Sequence, residues 1–127
     1  MSFLTPDLVN EIETGLASGD EDRIWKASVR LGDFVEEEPG PVWELVEKWG
    51  AADSAEVRMA VATCVLEHLL EHHFDRFFAP VERLAMSNYR FADTFSSCWN
   101  FGQSEDPTNT ERMDALRERL RKRHGAA

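Results

Sequence analysis

Along most of this chain, apolar residues recur every three or four positions, the spacing that places them on one face of an α-helix. Capping residues and helix breakers divide the pattern: Thr5 and Pro6 form one start signal, and Asp53 or Ser54 forms another. No segment shows the sustained alternation of apolar and polar residues that a β-strand requires. The pattern predicts an all-α fold with helices over about 6–18, 20–38, 41–49, 54–73, 74–87, 88–101 and 110–124.

The fourth predicted helix, 54–73, differs from the others because it is apolar nearly all round. A helix of this kind is covered on more than one side, so we expect it at the centre of the fold. Pro80 is expected either to interrupt or to start the fifth helix. The polar stretch 103–109 is predicted to be a link before the last helix.

Three short blocks align along the chain: Arg23–Ala27, Glu56–Ala60 and Asn88–Ala92, separated by 33 and then 32 residues. Each block begins the second helix of a predicted hairpin, and the first two follow an acidic or polar turn. All three end in alanine, whose small side chain allows paired helices to approach closely. The chain is therefore predicted to repeat a helix hairpin about three times.

The best-formed block and its turn, 53–60, read DSAEVRMA and resemble the HEAT-repeat pattern. The resemblance covers roughly residues 5–101, although the first block has Trp25 where arginine is usual and the third block lacks the acidic turn. HEAT-like folds occur in scaffold proteins, DNA alkylation-repair-like proteins and small bacterial inhibitors, so the resemblance does not select a function. A helical bundle with accidental periodicity is the alternative. The resemblance implies a single domain over 1–127, with a short α-solenoid of about three hairpins at 5–101, the link at 103–109 and a C-terminal capping helix at 110–124.

Charge is distributed unevenly along the chain. The 24 acidic and 14 basic residues give a net charge of −10, and residues 1–75 hold 17 acids and 5 bases, a net charge of −12. Such an acidic surface repels phosphate backbones and attracts basic partners. The start of the chain lacks a signal-peptide pattern and no apolar run reaches the ~18 residues of a membrane helix, so we expect a cytoplasmic protein without a membrane partner. Cys64 and Cys98 are expected to be small buried hydrophobes, although the sequence alone leaves a disulfide open.

A histidine cluster is the most conspicuous candidate for chemistry. His68 and His72 are four residues apart and share a helix face, as metal ligands would, and His73 follows directly. The sequence contains no His-Glu-x-x-His order, no Gly-x-Ser-x-Gly motif and no glycine-rich phosphate loop. We therefore expect no enzyme activity, no metal and no cofactor, and interpret the histidines as an exposed helix end. A metal-dependent enzyme at this cluster is one alternative function.

A basic stretch, 117–123, provides the other alternative, a nucleic-acid-binding module resembling alkylation-repair HEAT proteins, with Arg90 as a further contact. The interspersed acids and the overall acidity favour a charge-balanced solvent face instead. The aromatic-rich region also has two interpretations. Six of the eight phenylalanines lie between Phe74 and Phe101, and these two fall off the inward stripe. An aromatic left outside the core is typical of an interface anchor, but simple core packing is favoured.

In a HEAT-like solenoid, the second helix of each hairpin lines the concave surface. On that side, an apolar centre of Met59, Leu66 and Leu70 is predicted within an acidic rim, which is the layout of a protein-binding surface. The leading hypothesis is a non-enzymatic interaction module for a basic protein, for example an immunity or antitoxin-type inhibitor of a toxin nuclease. The predicted partner-binding residues are Asp33, Glu36, Glu37, Met59, Thr63, Leu66, Glu67, Leu70, Glu71 and Phe101.

Overall fold

The computed structural model describes residues 3–125, and every regular element within them is helical. The all-α class predicted from the apolar pattern is therefore confirmed. A π-helical turn (Ala62–Leu66) joins α4 to α5, and a 3-10 turn (Gly102–Glu105) precedes α7. The helices are α1 (Pro6–Leu16), α2 (Glu21–Gly32), α3 (Pro39–Trp49), α4 (Ala55–Val61), α5 (Glu67–Ser87), α6 (Tyr89–Ser96) and α7 (Pro107–His124).

Two helix starts follow the capping signals in the sequence. The Thr5 hydroxyl accepts a hydrogen bond from the backbone N–H of Leu8 at 3.2 Å, and Pro6 occupies the first helical position of α1. The Ser54 hydroxyl accepts from the backbone N–H of Val57 at 3.3 Å at the start of α4. Each hydroxyl satisfies a backbone donor that has no partner within its helix, so both predicted caps are confirmed.

Prolines begin two helices earlier than the sequence pattern predicts. Helix α3 starts at Pro39 rather than Pro41, and α7 starts at Pro107 rather than at residue 110. Proline fits the first position of a helix because the N–H that it lacks would have had no acceptor there. The predicted link 103–109 is wrong in its extent, since it contains most of the 3-10 turn and the first residues of α7.

Two predicted helices end earlier than the apolar pattern does. Helix α2 stops at Gly32, although Phe34 and Val35 in the following turns at 33–37 are buried. Helix α6 stops at Ser96 rather than at 101. The turns after α2 still bury Phe34 and Val35, whereas after α6 Cys98 is buried and Trp99 is exposed, so the apolar spacing overestimated the length of both helices.

The segment 55–87 is the long central part of the fold. Helix α4, the π turn and α5 follow without a break, but His73 has the non-helical angles φ −138° and ψ 44°, which kink α5. This kink falls at the predicted boundary between the fourth and fifth helices. Pro80 lies inside the helical segment after the kink, so the prediction that it interrupts or starts a helix is wrong. The helix continues there at the cost of one backbone hydrogen bond.

Helix α4 contacts both α2 and α6, and these three helices form a row. Helix α1 packs on α2, α3 packs on α4 and α5, and α7 packs on α5 and α6. The three aligned alanines, Ala27, Ala60 and Ala92, are all buried. A Cβ built on Gly15 would lie 2.8 Å from the Cβ of Ala27, so α1 and α2 approach closely where both residues are small.

The aromatic residues of the C-terminal half pack mainly in the core. Phe74, Phe91 and Phe95 are fully buried, and Phe74 stacks on Phe78 with ring centroids 4.9 Å apart. The expectation that Phe74 falls off the inward stripe is therefore wrong, because the kink at His73 turns the chain just before it. Within residues 3–125, no helix is both long enough and apolar enough to cross a bilayer.

Candidate interaction surface

The apolar centre predicted for the partner-binding surface is only partly exposed. Met59 is 51% exposed and Thr63 is half-buried, but Leu66 and Leu70 are fully buried in the core. The helical wheel that placed these leucines beside Met59 assumed an unbroken α-helix. The π turn at 62–66 inserts an extra residue into that helix, which rotates the following positions by about 100° relative to the preceding ones. The expected exposure of Leu66 and Leu70 is therefore wrong.

Glu67 was predicted to lie on the acidic rim, but its side chain is buried, with the residue 5% exposed. Its Oε1 atom accepts a hydrogen bond from the backbone N–H of Trp99 at 3.0 Å. Desolvation by burial raises the pKa of the Glu67 carboxyl, and the hydrogen bond from Trp99 opposes that rise only in part. Glu67 therefore holds the segment after α6 against the π turn and is not a free rim charge.

Of the remaining predicted acids, Glu36 and Glu71 contact the histidine cluster. Asp33, Glu36 and Glu37 are exposed in the turns after α2. His72 Nδ1 lies 3.3 Å from a carboxylate oxygen of Glu36, and this contact links those turns to α5. Glu71, which is half-buried, is the next predicted acid along α5.

Phe101, the predicted aromatic of this surface, stacks on His68 with ring centroids 5.8 Å apart and is 39% exposed. His68 Nδ1 also lies 2.7 Å from Glu71 Oε1. His73 Nε2 lies 3.1 Å from the backbone oxygen of Val35. His72 Nε2 lies 3.6 Å from the same Glu71 oxygen, so His68 and His72 share one carboxylate while His73 contacts backbone. Within the described residues, no group of three or more His, Cys, Asp or Glu side chains could hold a metal ion.

A second surface, which the sequence analysis did not identify, lies between the starts of α2 and α4. This acidic groove has a volume of about 720 Å³. Trp25 on α2 and Met59 on α4 line it, and each is 51% exposed. Its floor includes the buried residues Ile24 and Ala60. Its acidic residues are Asp20, Glu21, Asp22 and Glu56.

The charges of the acidic groove are only slightly neutralised by bases of the same chain. Lys26 Nζ lies 2.9 Å from a carboxylate oxygen of Asp22, and both side chains are largely exposed. Within residues 3–125, no other salt bridge reaches a groove acid. The acids occupy the first turns of two helices, where the backbone dipole stabilises negative charge by about 0.3–1 kcal/mol each. The groove therefore combines exposed apolar side chains with an excess of negative charge.

Two arginines, one on α4 and one on α6, are held by the chain itself. The Arg58 guanidinium donates to the backbone oxygens of Ala52 and Asp53 at 2.8 Å and lies 3.3 Å from Asp93. Arg90 lies 2.6 Å from a carboxylate oxygen of Asp53. These contacts join the start of α4 to α6 and direct both cations toward acids outside the groove.

The basic residues of α7 also have partners within the chain. The Arg117 guanidinium donates to the backbone oxygen of Cys98 at 3.1 Å and to the side-chain oxygen of Asn100 at 2.8 Å. Arg119 lies 2.7 Å from a carboxylate oxygen of Glu82. Further along the helix, Arg121 and Lys122 pair with Glu118, and the guanidinium of Arg112 lies 4.5 Å from the ring centroid of Phe78.

The two cysteines are free thiols in different environments. Cys98 is buried, its pKa is strongly raised by desolvation, and its Sγ lies 3.6 Å from the backbone oxygens of Ala62 and Thr94. Cys64 is half-buried, and burial also raises its pKa. Neither thiol therefore has the exposed, low-pKa environment of a reactive cysteine.

Comparison with known proteins does not connect this surface with a characterised family. No family model, curated protein or solved structure matches the chain.

Proposed function

We propose that this protein is a non-enzymatic interaction module that binds a basic protein, with the acidic groove between α2 and α4 as the centre of the contact. The observation that carries this proposal is the position of two half-exposed apolar side chains, Trp25 and Met59, among four carboxylates. The role we propose for the contact is inhibition: the module covers the active surface of a basic partner, such as a toxin nuclease.

Apolar and charged groups have separate roles in such a contact. Burial of apolar surface contributes roughly 25 cal/mol per Å², and tryptophan is among the residues that most often dominate interface energies. The groove carboxylates attract a basic partner over a distance and accelerate its association. Asp33, Glu36 and Glu37 are exposed beyond the C-terminal end of α2, at the other end of this helix from the groove, and add to the net negative charge.

We also propose that the helices are arranged as three HEAT-like hairpins. Two observations support this arrangement: the aligned alanines are buried at equivalent positions, and α4 contacts both α2 and α6. The ion pair Arg58–Asp93 links α4 to α6, and the ion pair Arg90–Asp53 links α6 to the turn before α4. In this arrangement α2, α4 and α6 share the surface that carries the groove.

The alternatives have weaker support. A nucleic-acid-binding module would use Arg90 and the bases of α7, but Arg90, Arg117 and Arg119 contact acceptors within the chain. The net charge of −10 also repels phosphate backbones. A metal-dependent enzyme would need the three histidines to converge, yet His73 contacts backbone oxygens while His68 and His72 contact carboxylates.

The proposal is tested by capture of a partner with matched charge variants. Wild-type protein and the Glu21→Lys/Glu56→Lys variant are used as baits in a lysate of the source organism, and the captured protein is then produced for calorimetric measurement of its Kd. The control is Glu105→Lys/Glu111→Lys, which makes the same charge change at exposed positions near and within α7.

We expect one basic protein whose Kd weakens at least about tenfold with the groove variant and much less with the control, since two reversed charges act at the contact. An activity assay of the partner then shows whether binding inhibits it. Equal losses with both variants, or no captured basic protein, would contradict the proposed function.

A further inference from the structure

The aromatic face of Trp25 is available to a cation from another molecule. Within residues 3–125, cationic side chains of the chain lie over seven aromatic rings. Lys48, for example, lies 5.2 Å from the ring centroid of Trp49. Trp25 is not among these rings, although it is half-exposed and stands beside four carboxylates.

The bases nearest to Trp25 in sequence have other partners. Lys26 pairs with Asp22 at 2.9 Å, and Arg30 lies 5.8 Å from the ring centroid of Phe34. Arg23 lines a different groove, between α1 and α2. In the acidic groove, the indole face of Trp25 therefore lies in a region of negative potential. None of these three bases stacks on that face.

We infer that the acidic groove binds an arginine side chain of the partner protein. The planar guanidinium stacks on the indole of Trp25, while its N–H groups donate to groove carboxylates such as Glu21 and Glu56. The aliphatic part of the arginine lies against Met59. This inference rests on the proposed function and specifies the group on the partner that the groove recognises.

Arginine fits this site better than lysine for two physical reasons. A guanidinium is planar, so it stacks on an aromatic ring and still presents several N–H donors at its edge. It is also less strongly hydrated than an ammonium group, so its transfer from water into a partly apolar groove costs less. A lysine in the same place offers a compact charge without a stacking face.

Trp99 provides an internal control because the charged side chain that lines its depression is basic instead of acidic. It is 71% exposed in the segment after α6, in a shallow depression that Arg117 also lines. The guanidinium of Arg117 is held there by the backbone oxygen of Cys98 and the side chain of Asn100. A cationic ligand should therefore avoid Trp99, even though Trp99 is the more exposed indole.

The test uses the intact protein and three blocked tripeptides, acetyl-Gly-Arg-Gly-amide and its lysine and norleucine equivalents. Each is titrated at low salt while the indole N–H signals of the four tryptophans are followed by nuclear magnetic resonance. We expect the arginine peptide to shift the Trp25 signal and leave the Trp99 signal in place. We also expect it to bind about threefold or more tightly than the lysine peptide, and the norleucine peptide to produce no shift.

Variants separate the aromatic contact from general charge attraction. Trp25→Leu should abolish the preference for arginine over lysine, whereas Trp99→Leu should preserve it; circular dichroism establishes that both variants are folded. An equal affinity for the arginine and lysine peptides, or a shift at Trp99 without one at Trp25, would overturn the inference.

Failure of this inference is distinguishable from failure of the proposed function. If the captured basic protein still loses affinity with Glu21→Lys/Glu56→Lys while the arginine peptide does not reach Trp25, the function stands and the inference falls. If the arginine peptide binds at Trp25 but no basic protein is captured, the inferred side-chain site stands and the proposed function falls.

Discussion

The acidic groove and the region around α7 use aromatic and charged residues in opposite ways. Around α7, Arg112 covers Phe74 and Phe78, Arg117 covers Phe95, and several bases contact acceptors on neighbouring elements. In the groove, Trp25 and Met59 remain half-exposed, and their acidic neighbours have few basic partners.

This difference separates contacts that stabilise the fold from side chains that remain available to a partner. The contacts of α7 join the last helix to the centre of the fold, so they contribute to stability. The groove residues leave apolar area and negative charge in water, where they add little to stability and are available to a partner. Substitutions in the two regions should therefore separate stability from binding.

The largest expected loss of stability comes from the core beneath α7. Phe74→Ala should reduce the free energy of unfolding by about 3–5 kcal/mol, since it removes a fully buried ring that stacks on Phe78. Urea denaturation followed by circular dichroism measures this change. A loss below about 1 kcal/mol would show that the region around α7 is not part of the cooperative core.

A smaller loss is expected from the guanidinium that joins α7 to the segment after α6. Arg117→Ala should cost about 1–3 kcal/mol because it leaves acceptors of Cys98 and Asn100 without their charged donor. Arg121→Ala is the matched control. Arg121 pairs with Glu118 of its own helix at the surface, where solvent screens the pair, so its loss should cost much less than the loss of Arg117. Similar values for both variants in urea denaturation would contradict a special role for Arg117.

The buried carboxyl of Glu67 should make stability depend on pH. Because burial raises its pKa in the folded protein, the native state holds this proton above pH 4.5, the ordinary pKa, where the unfolded state has released it. The contribution of this group to stability is therefore present at low pH and is lost as pH rises through the raised pKa.

Glu67→Gln should remove this particular pH dependence and be more stable than the wild type at pH 7, since the amide oxygen still accepts the N–H of Trp99. Stability curves of both proteins from pH 4 to pH 8 test the sign. A variant that is less stable than the wild type across the whole range would refute the raised pKa as the controlling effect.

Only a small effect on stability is expected in the groove itself. Trp25→Ala should change the free energy of unfolding by about 1 kcal/mol or less, because half of this residue is already in water. The same substitution should weaken binding of the basic partner by about tenfold or more, as expected for an interface anchor. Thermal unfolding and calorimetry on one protein preparation measure both. A large loss of stability without a loss of binding would reverse the assignment of the two regions.

Much of the fold follows from local sequence signals. The helical spacing and the caps at Thr5 and Ser54 predict the class and several helix starts, because these features depend on residues close in sequence. The errors at Leu66 and Leu70 have one cause, a π turn that changes the rotation of the helix. Helical periodicity assumes a constant rotation per residue and therefore does not report such a turn.

The acidic groove was missed for a related reason. It forms between two helices, and its walls come together only when α2 and α4 pack. The sequence did contain signals: Trp25 departs from the repeat pattern, and Asp20, Glu21 and Asp22 form an acidic run just before it. The repeat register aligns Trp25 with Arg58, and Met59 directly follows Arg58. It therefore predicts that Trp25 and Met59 lie near each other on neighbouring helices.

Hydrogen–deuterium exchange of the protein with and without its captured basic partner tests the proposed surface most directly. The first N–H groups of α2 lack acceptors within the helix and have no side-chain cap, so they should exchange rapidly in the free protein. We expect the partner to slow exchange at 20–26 and 55–60, and to leave 107–124 unchanged. Protection confined to α7 or to the segment around Trp99, with 20–26 unaffected, would contradict the acidic groove as the binding surface.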